Sequence, residues 1–135
     1  MLCYGTSLVV RNKGILLRGK PGSGKSDLAL RLMHQGAVLI SDDQTDITLS
    51  DHKQLILSGP KTLQGKLEVR GIGILNMPFC KKHTLDILID LKNWQDIDRL
   101  PEKTFEDIKG TVCPLYHIDP FEFSAVEKVF ALCAL

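Results

Sequence analysis

The stretch GKPGSGKS, residues 19–26, constrains the fold of this chain more than any other feature. It has the spacing G-x-x-x-x-G-K-[ST], in which glycines allow a tight loop whose main-chain N–H groups point inward at phosphate oxygens. Such a loop belongs between a strand and a helix N-terminus. The run GILLR (14–18) is apolar and β-rich, and from 26 to 35 apolar residues recur at helical spacing until Gly36. The sequence therefore predicts a strand, a phosphate-binding loop and a helix in direct succession.

The loop is a candidate binding site for ATP and Mg²⁺. The Lys25 amine can reach the β- and γ-phosphates, and the Ser26 hydroxyl can bind Mg²⁺. Main-chain N–H groups and the helix N-terminus add partial positive charge. The candidate nucleotide-binding residues are Gly19, Lys20, Pro21, Gly22, Ser23, Gly24, Lys25 and Ser26.

The remaining periodicity indicates an α/β fold, a mixed sheet flanked by helices. Short β-rich runs predict most of the strands, and SAVE (124–127) is a capping box that predicts a terminal helix. We expect a loop between the last strand and that helix. The predicted strands are 6–10 paired with 14–18, a buried strand at 37–40, a hairpin over 44–57 with its turn near 51–52, and one strand over 83–91 with Leu85, Ile87, Ile89 and Leu91 on one side.

Composition narrows the function classes. The 135 residues suit one domain, 1–135, and the 17 basic and 16 acidic residues give a net charge of +1. This balance gives no electrostatic reason to expect nucleic acid or a membrane surface as the main partner. No apolar run approaches the roughly 20 residues of a membrane span, and the start lacks a signal-peptide pattern, so we expect a cytoplasmic protein. The four cysteines show no Cys-x-x-Cys spacing and are expected to be free thiols.

Two adjacent acids follow the buried strand at 37–40. If that strand runs parallel to 14–18, both strands end at the same sheet edge, and Asp42 and Asp43 face the phosphate loop. One carboxylate can then hold Mg²⁺ while the other accepts a proton from an attacking hydroxyl or water. The sequence leaves open which acid has which role. The alternative is a solvated turn without a catalytic role.

Three stretches, RGKPGSGKSDLALRL, GAVLISDDQ and LEVRGIGILN, occur in this order and resemble the HPr kinase/phosphorylase family. The similarity is to the short form that is essentially the catalytic domain. It implies a fold related to phosphoenolpyruvate carboxykinase and an ATP- and Mg²⁺-dependent serine kinase, a phosphotransferase acting on the phosphocarrier protein HPr. It also implies that inorganic phosphate can attack phosphoserine in a reverse phosphorolysis. Long-form relatives are hexamers, so a homo-oligomer is a further expectation.

The resemblance also assigns roles to residues. It implies catalytic roles for Lys25, Asp42, Asp43 and Arg70, and metal binding by Ser26, Asp43 and Glu68. A glutamate near the metal adds an oxygen ligand, and an arginine offers a fork of donors to phosphoryl oxygens. Gly71 and Gly73 either permit a close backbone approach or are ordinary turn glycines.

Two positions depart from the family pattern. Tyr4 stands where the family commonly has histidine, and Leu115 stands where many short-form members carry arginine after proline. Histidine titrates near neutral pH and tyrosine does not, so we expect proton transfer and the reverse reaction to be affected. Two other functions stay open: a regulatory module that senses ATP or phosphate without kinase activity, and a small-metabolite kinase or ATPase.

Overall fold

A computed structural model describes residues 1–135, which form two α-helices, two short 3₁₀ helices (Lys61–Leu63 and Trp94–Asp96) and eleven strands. The α-helices are α1 (Lys25–His34) and α2 (Ala125–Cys133). Neither is long and apolar enough to cross a membrane. The strands are β1 (Leu2–Val10), β2 (Lys13–Arg18), β3 (Val38–Ser41), β4 (Gln44–Leu49), β5 (Leu55–Ser58), β6 (Lys66–Val69), β7 (Gly73–Asn76), β8 (Lys82–Thr84), β9 (Ile87–Leu91), β10 (Thr104–Ile108) and β11 (Thr111–Ile118).

Nine strands form one mixed sheet in the order β10-β11-β9-β2-β1-β4-β5-β8, with β3 also paired to β1. Strand β9 is parallel to both β2 and β11, whereas β1 is antiparallel to β2, β3 and β4. Strands β6 and β7 form a separate two-stranded hairpin. The expected α/β class, a mixed sheet flanked by helices around a phosphate loop, is confirmed.

Strand β1 changes partner along its length. Its first residues, 2–4, pair with β4, and residues 7–9 pair with β3. Asp42 and Asp43 connect β3 to β4, so they lie where β1 passes from one partner to the other. Because β2 and β3 are both antiparallel to β1, they run in the same direction and end at the same sheet edge. The predicted placement is therefore correct, although β1 lies between the two parallel strands.

The core consists of two apolar clusters on opposite faces of the sheet. Side chains point alternately to the two faces of a sheet. In β2, Ile15 and Leu17 therefore pack in the cluster that contains residues of both helices, and Leu16 packs in the cluster without helices. Helix α1 buries Leu28, Ala29 and Leu32 against the first cluster, and α2 buries Ala125, Val129 and Cys133. The helices therefore hold the phosphate loop against one face of the sheet.

The single strand predicted over 83–91 is wrong. The chain forms β8 and β9 with a break at Leu85 and Asp86, where it leaves β5 and joins β2. The Asp86 carboxylate accepts a 2.7 Å hydrogen bond from Gly14 N and fixes this crossing. Leu85 consequently packs in the cluster without helices, whereas Ile87 and Ile89 pack in the cluster with them.

The loop expected before the terminal helix is also wrong, because β10 and β11 form a hairpin there. Lys109 and Gly110 have φ of 54° and 86° and make the tight turn that such a hairpin needs. Pro114 obscured the strand pattern, but it precedes the part of β11 that pairs with β9.

The terminal helix is confirmed, but its capping box does not form. Ser124 occupies the N-cap of α2 without a side-chain hydrogen bond, and its main-chain oxygen accepts Lys128 N at 2.9 Å. The four cysteines are free thiols as expected, and burial raises the pKa of Cys113 and of Cys133 to about 11.

Candidate active site

The loop after β2 curls around the start of α1. Gly22 and Gly24 have φ of 78° and 97°, a backbone region that glycine enters without strain. Lys25 is buried, and its Nζ donates to the main-chain oxygens of Gly19 at 2.8 Å and Lys20 at 3.1 Å. An ammonium group has three donors, so one remains for a phosphate oxygen. The loop therefore fits the phosphate group that its sequence predicts.

Asp42 is almost fully buried and accepts three hydrogen bonds. Its Oδ1 accepts Ser26 Oγ at 2.7 Å and Thr6 Oγ1 at 3.0 Å, and its Oδ2 accepts Glu68 N at 3.2 Å. All three donors are neutral, and Asp42 takes part in no ion pair. A buried carboxylate in this situation favours a cation nearby. The contact with Ser26 directly links the acidic pair to the phosphate loop.

Asp43 has an exposed side chain and an unusual backbone. Its φ is 66°, and Gln44 N donates to Asp42 O at 2.7 Å, the hydrogen bond of a three-residue γ-turn. A non-glycine residue held in this region costs about 1–3 kcal/mol, and such strain concentrates at functional sites. Lys109 has a similar φ in an ordinary hairpin turn, so this conformation agrees with both the catalytic pair and the solvated turn.

The loop and the acidic pair line one side of a cleft of about 830 Å³, and the β6–β7 hairpin lines the other. Glu68 and Arg70 are exposed in that hairpin and face the cleft, as the sequence predicts. Gly71 and Gly73 have φ of 83° and 131° with open space where a Cβ would stand. Both have the positive φ of turn glycines, and no other part of this chain packs against them.

The sequence did not predict three residues that lie in the cleft or contact the acids. Lys66, at the start of β6, adds a second cation to the cleft lining, and Phe121 lines the cleft where Pro120 packs on Gly24. Thr6 is fully buried and contacts both acids. The sequence signal for Thr6 is a polar residue on the strand face that carries the apolar Leu8 and Val10. No comparable pattern marks Lys66 or Phe121.

Three of the predicted nucleotide-binding residues, and the two positions that depart from the family pattern, do not line the cleft. Gly19, Lys20 and Ser23 form the base of the loop, and Ser23 Oγ is buried without a hydrogen-bond partner beside Gly19. Tyr4 is 70% exposed and shares a strand face with Thr6, two residues from the contact with Asp42. Leu115 is half-buried and packs against the cluster without helices, so that position serves packing.

A second concavity, of about 820 Å³, lies between the helices and the β1–β2 turn. Arg11 stacks on the Phe130 ring there, with its guanidinium carbon 5.2 Å from the ring centroid. This concavity has no phosphate loop and no acidic pair, so the cleft beside the loop is the candidate active site.

A second carboxylate cluster lies at the same sheet edge on the face away from the helices. Arg18 donates two hydrogen bonds to Asp90 at 2.7 and 3.0 Å and two to Glu106 at 2.7 and 2.8 Å. The guanidinium lowers the pKa of the Glu106 carboxyl, and the two carboxylates raise the pKa of Arg18. These charges are satisfied within the protein.

Comparison with known proteins identifies the family. The model of the HPr Serine kinase C-terminal domain matches residues 1–122. The chain belongs to this family. It is 32% identical over 117 residues to the HPr kinase/phosphorylase of Lactobacillus acidophilus, covering 82% of this chain and 36% of that protein. It is 37% identical over 98 residues to the one from Pediococcus pentosaceus, covering 67% of this chain and 31% of that protein.

The chain spans about a third of the length of the curated relatives it matches. Its fold is shared with the HPr(Ser) kinase/phosphatase of Coxiella burnetii, with a TM-score of 0.89, 24% identity, and coverage of 99% of this chain and 94% of that chain. The family membership predicted from three short stretches is therefore confirmed.

Proposed function

We propose that this domain transfers the γ-phosphoryl group of ATP to a serine hydroxyl of an HPr-like phosphocarrier protein. The observation that carries the proposal is the 2.7 Å hydrogen bond between Ser26 and Asp42. It joins the phosphate loop to the acidic pair, so that phosphate binding and proton acceptance are available at one point of the cleft. The relatives named above are HPr kinases, which supplies the class of acceptor.

Oxygen donors at the loop suit Mg²⁺, which prefers hydroxyl, carboxylate and water ligands. We assign Ser26 and Glu68 to hold Mg²⁺. Asp42 orients both residues, because it accepts hydrogen bonds from Ser26 Oγ and Glu68 N. When bound, Mg²⁺ neutralises charge on the transferring phosphoryl group. The sequence also makes Asp43 a candidate ligand, but the Ser26 hydroxyl contacts the carboxylate of Asp42 and not that of Asp43, which favours another role for Asp43.

The side chains then divide the chemistry. Lys25, held by two main-chain oxygens, directs its remaining donor to the phosphates, and Arg70 and Lys66 add positive charge across the cleft. Asp43 is exposed to the cleft and carries no hydrogen bond from Ser26 or Thr6 to its carboxylate, so we assign it the serine proton. Asp42 keeps its three hydrogen bonds throughout.

The reverse phosphorolysis uses the same residues, with inorganic phosphate as the attacking group. The exposed Tyr4 near the acids is the observation that favours the alternative of a nucleotide sensor without transfer. A small-metabolite kinase or ATPase would share the loop and acids.

Phosphate incorporation separates these functions. The purified domain is incubated with labelled ATP, Mg²⁺ and HPr, with HPr lacking the acceptor serine as control. We expect label in HPr and none in the control protein. ATP binding with no incorporation would support the sensor, and ATP turnover that does not depend on HPr would support the metabolite kinase or ATPase.

A further inference from the structure

Strand β1 carries a buried hydroxyl that contacts both acidic residues. Thr6 is fully buried, and its Oγ1 donates to Asp42 Oδ1 at 3.0 Å. The same oxygen accepts Asp43 N at 3.2 Å. A hydroxyl has one proton and two lone pairs, so it makes both bonds at once. One side chain therefore ties the carboxylate of Asp42 to the backbone of Asp43.

The other bonds to this pair do not replace that link. Asp42 is otherwise held by Ser26 in the loop and by the main chain of Glu68 in the hairpin, and both of these elements line the cleft. Thr6 belongs to a strand paired on both sides, and sites anchored on strands are more precise than sites anchored on loops. The only other bond from β1 to Asp43 is Gly5 N to its main-chain oxygen, at 2.9 Å.

We propose that Thr6 is a positioning residue, whose hydroxyl fixes the two acids in one relative arrangement and holds Asp43 in its left-handed backbone conformation. The catalytic part of this inference rests on the proposed function, because both acids then serve phosphoryl transfer. Replacing Thr6 by valine keeps the side-chain shape and removes the hydroxyl. Asp43 N–H then loses its partner, and Asp42 loses one of three donors.

Thr45 provides a matched control. It is also fully buried, its Oγ1 donates to Gly5 O at 3.0 Å, and it shares a 2.9 Å hydrogen bond with Ser7 Oγ. It contacts neither acid. Thr45→Val therefore removes a similar buried hydroxyl from the same region without touching the acidic pair.

The kinetic experiment compares wild type, Thr6→Val, Thr6→Ser and Thr45→Val in HPr phosphorylation. Thr6→Val should lower kcat by about 10- to 100-fold and change KM for ATP by less than about threefold, because misplaced groups lose rate while binding persists. Thr6→Ser, which restores the hydroxyl, and Thr45→Val should both stay within about threefold of wild-type kcat. Equal losses of kcat in Thr6→Val and Thr45→Val would overturn the proposal, since they would indicate a general packing effect.

Amide hydrogen exchange tests the same link without activity. In the domain without ATP, Thr6→Val should speed exchange of the Asp43 amide at least about tenfold, with no such change in Thr6→Ser or Thr45→Val. Unchanged Asp43 exchange in Thr6→Val would overturn the positioning role. If the wild type transfers no phosphate to HPr, the proposed function fails, and the exchange measurement still decides whether Thr6 holds Asp43. Thr6→Ala replaces Thr6→Val in both experiments if the valine variant does not fold.

Discussion

Two carboxylate clusters lie at the same edge of the sheet and differ in what surrounds them. Asp90 and Glu106 share the Arg18 guanidinium through four charge-assisted hydrogen bonds. Asp42 is more deeply buried, yet it accepts only two hydroxyls and one main-chain N–H. Ionised partners make stronger hydrogen bonds than neutral ones, so the fold itself satisfies the charges of Arg18, Asp90 and Glu106. The Asp42 carboxylate has no charged partner within the protein, and this contrast separates a structural cluster from a candidate catalytic one.

The largest expected effect comes from removing Lys25, the cation that the phosphate loop contributes to the same cleft as the acids. Lys25→Ala should reduce phosphoryl transfer by about 10³-fold or more, because no other side chain of the loop's Gly-Lys-Ser end carries a positive charge to the γ-phosphate. The fold should persist, since Lys25 Nζ contacts only two main-chain oxygens of its own loop. Initial rates with HPr and a circular dichroism spectrum check both parts.

Lys103→Ala is the control for that variant. Lys103 is exposed and forms no ion pair. We expect its activity to match wild type. A folded Lys25→Ala protein with wild-type Mg·ATP affinity and rate would remove the loop from the mechanism.

The two acids should respond differently to the same change. Asp43→Asn should lower kcat by about 10²- to 10⁴-fold with nucleotide affinity kept, because it removes the proton acceptor. Asp42→Asn should raise the Mg²⁺ concentration needed for half-maximal rate, because its contact with Ser26 supports the metal. Rates measured against Mg²⁺ and ATP concentration separate the two effects. Wild-type kinetics in both variants would leave the pair as a solvated turn.

Local patterns predicted the strand–loop–helix unit and the acidic pair, since a glycine motif and a short apolar run are encoded within a few residues. The sequence did not predict Thr6 or the Arg18 cluster, because their partners lie 36 to 88 residues away along the chain. It also could not assign separate roles to Asp42 and Asp43. The burial of Asp42 and the exposure of Asp43 depend on where β1 changes from β3 to β4. The sequence around the two acids does not show that pairing.

A gain of activity is expected at Tyr4. This side chain is exposed and lies on the strand face of Thr6, and Tyr4 pairs with Gln44, the residue that follows Asp43. Tyr4→His should raise HPr phosphorylation, or uncover phosphorolysis, by about two- to tenfold, which is part of the usual contribution of acid–base assistance. Nucleotide affinity should not change. Profiles of rate against pH in both directions check this, and identical profiles would show that position 4 has no role in transfer.

The smallest effect is expected in the satisfied cluster, where Glu106→Gln should lower stability without changing catalysis. The side chains of Arg18 and Glu106 are partly exposed, so the loss of their pairing should lower Tm by only about 1–4 °C at pH 7. Transfer to HPr should stay at the wild-type rate, because this cluster lies on the sheet face away from the helices.

The pH dependence of that loss identifies its electrostatic origin. Arg18 lowers the pKa of Glu106 in the folded state, so the unfolded chain binds a proton more readily as the pH falls. The stability from this carboxylate is therefore complete above the ordinary glutamate pKa of about 4.3 and is lost as the pH falls through the lower folded value. The Tm difference between wild type and Glu106→Gln should be constant from about pH 7 to 5 and should shrink below about pH 4.3. A difference that persists unchanged at pH 3, or a slower transfer rate at pH 7, would mean that Glu106 acts through packing or through the active site rather than through its ion pair.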